Sequence, residues 1–264
     1  MNFSNTPQME ELILQTNQAT IQQLEFLLVK NPKVFELSVP QQTRFIKHVV
    51  NKLFHVQGEL AQKQSVMDQL LVIIKDTNLK YLLYQIEHLY IELLLLNKLN
   101  NDALTRIDSI LLELKKLDDK QLLLQIYIQQ SRAYYHLKST PKSKGALVAA
   151  KTLSHQMYVP PTVQLQLDEQ SGLVHLLDKE YTIAYSYFYE TVEQLHHLNK
   201  DVQQHLSWLV LTQIMNNDLV ISNKYIIDNK DERIVGLLKI AKACQDRILH
   251  DFDASLQSHK RILY

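Results

Sequence analysis

The sequence predicts an all-α fold, a solenoid of tetratricopeptide-like helix pairs, and three observations predict it. Composition is the first: 264 residues include only 4 Gly and 6 Pro, while Leu and Gln, both good helix formers, are abundant. The second is the lack of the apolar–polar alternation that marks strands. The third is a repeat. Small-x-x-x-large pairs recur as Ala103/Ile107, Ser143/Leu147 and Ala184/Phe188, at spacings of 40 and then 41 residues. That is longer than the ~34-residue tetratricopeptide unit, so degenerate repeats with longer helices or loops are expected.

Along the chain, helices are expected between breaks at Asn31-Pro32, Pro40, Gln57-Gly58, Asp76-Thr77-Asn78, Asn100-Asn101, Asp118-Asp119 and Ser139-Thr140-Pro141. Further breaks are expected at Pro160-Pro161, Asp178-Lys179, Asn199-Lys200 and Asn229-Lys230-Asp231. These are helix-capping and turn residues, or prolines suited to a first helical turn. The piece YLLYQIEHLYIELLLLNKL is apolar on more than one side and needs neighbours on both flanks, as stacked repeats supply. A single repeat array is expected over residues 1–264.

The clearest repeat is SGLVHLLDKEYTIAYSYFYET. Its packing signature is Gly172 where two helices cross, Tyr181 entering the second helix, then Ala184, Tyr185 and Phe188. On a helix, Tyr181, Tyr185, Phe188, Val192 and Leu195 share a narrow stripe and Tyr187 points away from it. Each buried aromatic hides roughly 150–250 Å², so packing accounts for the rings. A stacking platform for nucleic acid needs cations between the aromatics, and none lies between Glu180 and Leu195.

Charge sets no bias toward nucleic acid or membrane, since 28 Lys and Arg face 28 Asp and Glu. One cysteine, Cys244, leaves neither an intrachain disulfide nor a thiolate cluster for zinc. The start MNFSNTPQMEELILQ reads as no signal peptide and no apolar run approaches a membrane span, so a soluble intracellular protein is expected. Motifs for zinc proteases, phosphate loops, nucleophile elbows and calcium loops are missing. No cofactor, metal or catalytic residue is expected. His196, His197 and His205 read as solvated helix-end groups, and Asp168, Glu169 and Glu180 as surface charge. Lys138, Lys142, Lys144 and Lys151 form a candidate patch for an acidic partner, weighed against an ordinary repeat junction. A peptide-binding carboxylate clamp lacks its lysines and asparagines, because the first helices offer mainly Arg132.

LLELKKLDDKQLLLQIYIQQSRAYYHL, AKTLSHQMYVPPTVQLQLDEQSGLVH, AYSYFYE and RILHDFDASLQSHKRIL, in that order, resemble the proteasome lid family of non-ATPase regulatory subunit eleven. The likeness is dense from Ile110 to Leu198, colinear to Tyr264, and rests on helix pattern before that. The resemblance implies a right-handed superhelix that clamps the lid onto the core particle's outer ring and the ATPase ring for ubiquitin-dependent degradation. It implies a scaffold in cytoplasm and nucleus whose partners are other lid subunits, with catalysis left to other subunits. The family continues into a PCI domain, and the chain, stopping near RILY, is expected to lack its winged helix. The related scaffolds of the signalosome and of a translation initiation factor are the competing resemblances, and a peptide-binding tetratricopeptide adaptor is the competing class.

Overall fold

The computed structural model describes residues 23, 39–56, 60–76, 80–217, 226 and 231–263. Among these, every regular element is a helix: α1 Val39–His55, α2 Leu60–Asp76, α3 Lys80–Leu96, α4 Asn100–Leu117, α5 Lys120–His136 and α6 Thr140–Ser154. The series continues with α7 Pro161–Leu177, α8 Tyr181–His197, α9 Gln203–Met215, α10 Glu232–Asp246 and α11 Leu249–Leu263. The expected fold class, all-α and built from helix pairs, is what the structure has. Contacts group the chain into two compact units, 1–122 and 123–264, with the boundary in the first turn of α5.

With so few glycines, the turns are closed by other residues. Lys98, Asp118, Lys138, Lys179, Asn199, Asn217 and Arg247 all take left-handed backbone, with φ from 51° to 63°. Lys138 shows the pattern: its N–H donates to the Tyr135 carbonyl, and the N–H of Ser139 reaches back to Tyr134. The same pair of bonds closes the turns at Lys98, Lys179, Asn199 and Arg247. A left-handed non-glycine residue costs about 1–2 kcal/mol. Two backbone bonds at ~0.5–1.5 kcal/mol each offset that cost and satisfy carbonyls otherwise orphaned at the helix end. Three of these turns, at Lys98, Lys138 and Lys179, lie inside helix pairs α3/α4, α5/α6 and α7/α8. They recur at 40 and 41 residues, the spacing of the small–large pairs.

Most breaks fall where the residues place them. Pro40 stands in the first turn of α1, Pro161 opens α7, and Asp231 caps α10 by accepting from the Arg233 N–H at 2.7 Å. Asn100-Asn101 is a correction: both asparagines are inside α4, and the break is one turn earlier, at Asn97–Leu99. The breaks at Asn217 and Arg247 are not among those expected, although Asn216-Asn217 carries turn residues of the kind that mark Asn199-Lys200. The expected breaks at Asn31-Pro32, Gln57-Gly58, Thr77-Asn78 and Asn229-Lys230 lie outside the described residues.

In the first unit, α3 carries nine buried residues, including Leu82, Ile86, Ile91 and Leu94. It packs against α1, α2 and α4, which covers its several apolar sides as stacking requires. In the second unit, Leu124 and Ile128 of α5, Leu147 of α6 and Leu167 of α7 share one core. Phe188 and Val192 of α8 join Leu206 and Leu209 of α9 and Ile234 of α10 in another.

All six residues of the small–large pairs are buried: Ala103, Ile107, Ser143, Leu147, Ala184 and Phe188. Where serine replaces alanine, the hydroxyl is satisfied, since Ser143 Oγ donates to the Ser131 carbonyl at 2.8 Å and lies 2.9 Å from Ser131 Oγ. The tightest crossing joins α7 to α8. A Cβ added at Gly172 would stand 2.6 Å from Phe188 Cε1 and 2.9 Å from Cδ1, closer than carbon atoms approach. The ring of Phe188 therefore occupies the space a side chain at 172 would need. Phe188→Ala is expected to cost ~3–5 kcal/mol, read as a lowered Tm. Gly172→Ala alone is expected to destabilise as well. The double variant Gly172→Ala/Phe188→Leu should lose less than the sum of its single variants, because the added methyl fills space the ring vacates.

Candidate interaction surface

The residues singled out from sequence divide between core and surface. Ala184 and Phe188 are fully buried and Gly172 is buried, whereas Tyr181 and Tyr185 are half-buried. The buried stripe of α8 is Ala184, Phe188, Thr191, Val192 and Leu195. This corrects the expected aromatic stripe, which is rotated so that Tyr181 and Tyr185 lie at its margin. Tyr185 packs against the core's edge with its ring 6.2 Å from that of Tyr189. Trp208 is half-buried too, 5.4 Å from the Phe188 ring and edge-on to His205 at 5.1 Å.

The four lysines of the candidate patch are largely engaged within the chain. Lys144 on α6 pairs with Asp178 and, at 3.0 Å, with Glu180, both in the α7–α8 turn. Those two carboxylates hold the Lys144 ammonium above its ordinary range. Glu180 also accepts from His175 Nδ1 at 2.5 Å, and His175 and Lys144 together hold its carboxyl below the ordinary range. Lys151 donates to the Tyr187 hydroxyl at 2.7 Å, and Tyr187 stacks on His175 with ring centres 5.7 Å apart. Lys142 stands 5.6 Å from the Tyr134 ring centre, and Lys138 is the exposed left-handed residue of the α5–α6 turn. The tyrosine expected to point away from the core, Tyr187, is thus the one that ties α8 to α6.

Asp168 departs from the surface-charge reading: it is 3% exposed. Gln164 Nε2 and Gln194 Nε2 each donate to it at 2.9 Å. Burial pushes its carboxyl up, and the two amides and the charge of Lys151 pull against burial without overcoming it. Gln164, one turn earlier on α7, was visible at i−4 spacing; Gln194 comes from α8 and left no local signal. Glu169 is half-buried 3.8 Å from His205, while His196 and His197 are exposed at the end of α8. Cys244 is half-buried in α10.

The first unit contains a second charged junction. Arg106 of α4 reaches Asp68 of α2 at 2.7 Å and Glu87 of α3 at 3.2 Å, and its guanidinium lies 4.1 Å from the Tyr90 ring centre. Burial pushes the Glu87 carboxyl up against the pull of Arg106. Burial and Asp68 push the Tyr90 hydroxyl up to about 12. One arginine thereby joins three helices, a role for which sequence spacing gave no clue.

Among the described residues, no three His, Cys, Asp or Glu side chains come together as a metal site, and no helix is long and apolar enough to cross a membrane. The chemistry on offer is that of packed helix pairs with internally compensated charge, the class of helical-repeat proteins. A scan against models of protein families finds no match. Comparison with curated proteins does find relatives. Over 171 residues the chain is 36% identical to the probable 26S proteasome regulatory subunit rpn6 of Schizosaccharomyces pombe, covering 62% of this chain and 41% of the relative. It is 28% identical to 26S proteasome regulatory subunit RPN6 of Saccharomyces cerevisiae, over 90% of this chain and 58% of the relative. To the 26S proteasome non-ATPase regulatory subunit 11 of Dictyostelium discoideum it is 30% identical, over 82% and 54%. The resemblance read from the residues therefore holds. The chain spans about half the length of the curated relatives it matches.

Asp168 supplies a test by pH. A carboxyl that titrates higher in the folded chain than in the unfolded one destabilises once ionised. Its contribution is best below the unfolded value, near pH ~4, and is lost as pH rises through the folded value. Asp168→Asn keeps the shape, and Gln194 Oε1, a buried acceptor with no partner among the described residues, can take the new amide's proton. The variant is expected to be more stable than wild type in urea at pH 7, with the difference shrinking toward zero below pH ~4. An unchanged difference across that range would mean the carboxyl is not the cause.

Proposed function

We propose that this chain is a non-catalytic scaffold portion of the proteasome regulatory particle lid, clamping the lid to the core particle and the ATPase ring in ubiquitin-dependent degradation. The observation that carries this reading is the colinear similarity to 26S proteasome regulatory subunits over as much as 90% of the chain. The helix-pair architecture supports it, since such pairs present long faces to protein partners. The distribution of polar groups supports it too: Lys144, Lys151, Asp168 and Arg106 are engaged in holding helices together. The packing signature of Gly172, Tyr181, Ala184, Tyr185 and Phe188 serves in this reading to fix one repeat on the next across a single array. Cytoplasm and nucleus are the compartments that follow from it.

Affinity isolation of the endogenous full-length protein, followed by mass spectrometry, tests the assignment. Proteasome ATPases, lid subunits and core particle are expected to co-purify; signalosome subunits or initiation factors in their place would overturn it. The isolated 264-residue chain is expected to bind core particle and ATPase ring only weakly, at micromolar affinity or worse. Linkage to further lid contacts raises avidity by ~10²–10⁴, and the isolated chain forgoes it. A native gel of the chain mixed with core particle and ATPase ring alone reads this directly.

A further inference from the structure

The lysines expected to meet an acidic partner are mostly occupied, but another set forms no ion pair with a described residue. Where the last turns of α2 and α4 meet the first turn of α3, an open cleft of about 530 Å³ is lined by Ile74, Leu83, Leu117, Lys75, Lys80 and Lys116. Tyr84 and Glu113 complete it, and the Tyr84 hydroxyl donates to Glu113 Oε2 at 2.6 Å. That bond, burial and the carboxylate's charge push the Tyr84 hydroxyl up to about 12. Among the described residues of the lining, the one carboxylate is therefore already tied to the wall.

All three lysines are exposed, and none forms an ion pair with a described residue, in contrast to Lys144. The same lining carries apolar side chains: Ile74 is buried, Leu83 half-buried, and Leu117 is 52% exposed. A cleft within the ~300–1,000 Å³ range of binding pockets holds a few side chains, far less than a folded domain. Three cations outside any ion pair with a described residue select an anionic occupant, and the apolar side chains of the same lining select one that also carries an apolar side chain.

We infer that this cleft is a docking site for an acidic peptide segment with an aliphatic or aromatic anchor. The carboxylates lie along Lys75, Lys80 and Lys116, and the anchor covers Ile74, Leu83 and Leu117. A free phosphate satisfies the lysines but leaves the apolar side chains uncovered, which is why a peptide is the occupant. The site does not depend on which larger assembly takes up the chain, so it stands or falls separately from the lid assignment.

The test titrates the purified chain into a fluorescein-labelled octapeptide, aspartates flanking a central Leu-Phe pair, and follows anisotropy. Binding is expected in the range of about 10–100 μM, weakening at least about fivefold when ionic strength rises from roughly 0.05 to 0.3 M. An Asn-for-Asp peptide should not bind, and an all-aspartate peptide should bind about tenfold more weakly for want of the anchor. The triple variant Lys75→Gln/Lys80→Gln/Lys116→Gln should lose binding about tenfold or more while melting like wild type. Leu117→Ser should weaken the anchored peptide and leave the all-aspartate peptide unchanged. Were the triple variant to melt differently, the salt series and the two control peptides on the wild-type chain would decide alone. Equal binding by wild type and a folded triple variant, or equal affinity with and without the Leu-Phe pair, overturns the proposal. So does full displacement by millimolar phosphate, which would mark a free-anion site.

Discussion

A helix that ends in a left-handed residue and begins its successor two residues later must lay that successor back against itself. This constraint organises the described fold. At Lys98, Lys138 and Lys179 the turn closes with two backbone bonds, and the residue after it stands at the threshold of the next helix. Paired helices then share a face whatever their surface sequences are. What their sequences decide is how closely they approach. In α7/α8 the answer is Gly172 under the Phe188 ring; in α5/α6 it is a serine pair that bonds across the contact. Both solutions place a small residue in the first turn of the second helix, and both bury a larger one four residues on.

Close approach leaves little room for water, so the polar groups that remain inside have to find each other. Ser131 receives the amide of Gln170 as well as its contact with Ser143. Asp168 draws in glutamines from two helices, and Arg106 draws in acids from two. Such groups contribute less to net stability than apolar side chains of equal size would, because each first loses its water. Their effect is on register: a slid helix leaves a buried carboxylate or guanidinium without its partner, which costs more than the slide gains.

Chain neutrality conceals a local sorting of charge. Around α6, α7 and α8, Lys144 is consumed by acids in the α7–α8 turn and Lys151 by Tyr187. Around the ends of α2, α3 and α4, Lys75, Lys80 and Lys116 form no ion pair with a described residue and stand beside exposed apolar surface. Two sets of lysines thus differ in what they offer. One stiffens a helix pair, and the other leaves charge available for a partner.

Helix content, most helix limits and the repeat length were set by sequence alone, because capping residues, turn residues and apolar periodicity act within a few positions of one another. The likeness to proteasome regulatory subunits was legible for the same local reason, carried by short runs such as AYSYFYE. Tertiary structure decided which side of each helix faces inward. Phe188 takes the centre and Tyr185 the margin because Gly172 opens space opposite one and not the other. It decided that Asp168 is buried, since Gln194 arrives from a helix whose register no local rule specifies. It also brought Lys116 beside Lys75 and Lys80. The first two flank one helix break and could be read together, but the third lies a full helix away and joins them only because α2, α3 and α4 stack with these ends adjacent.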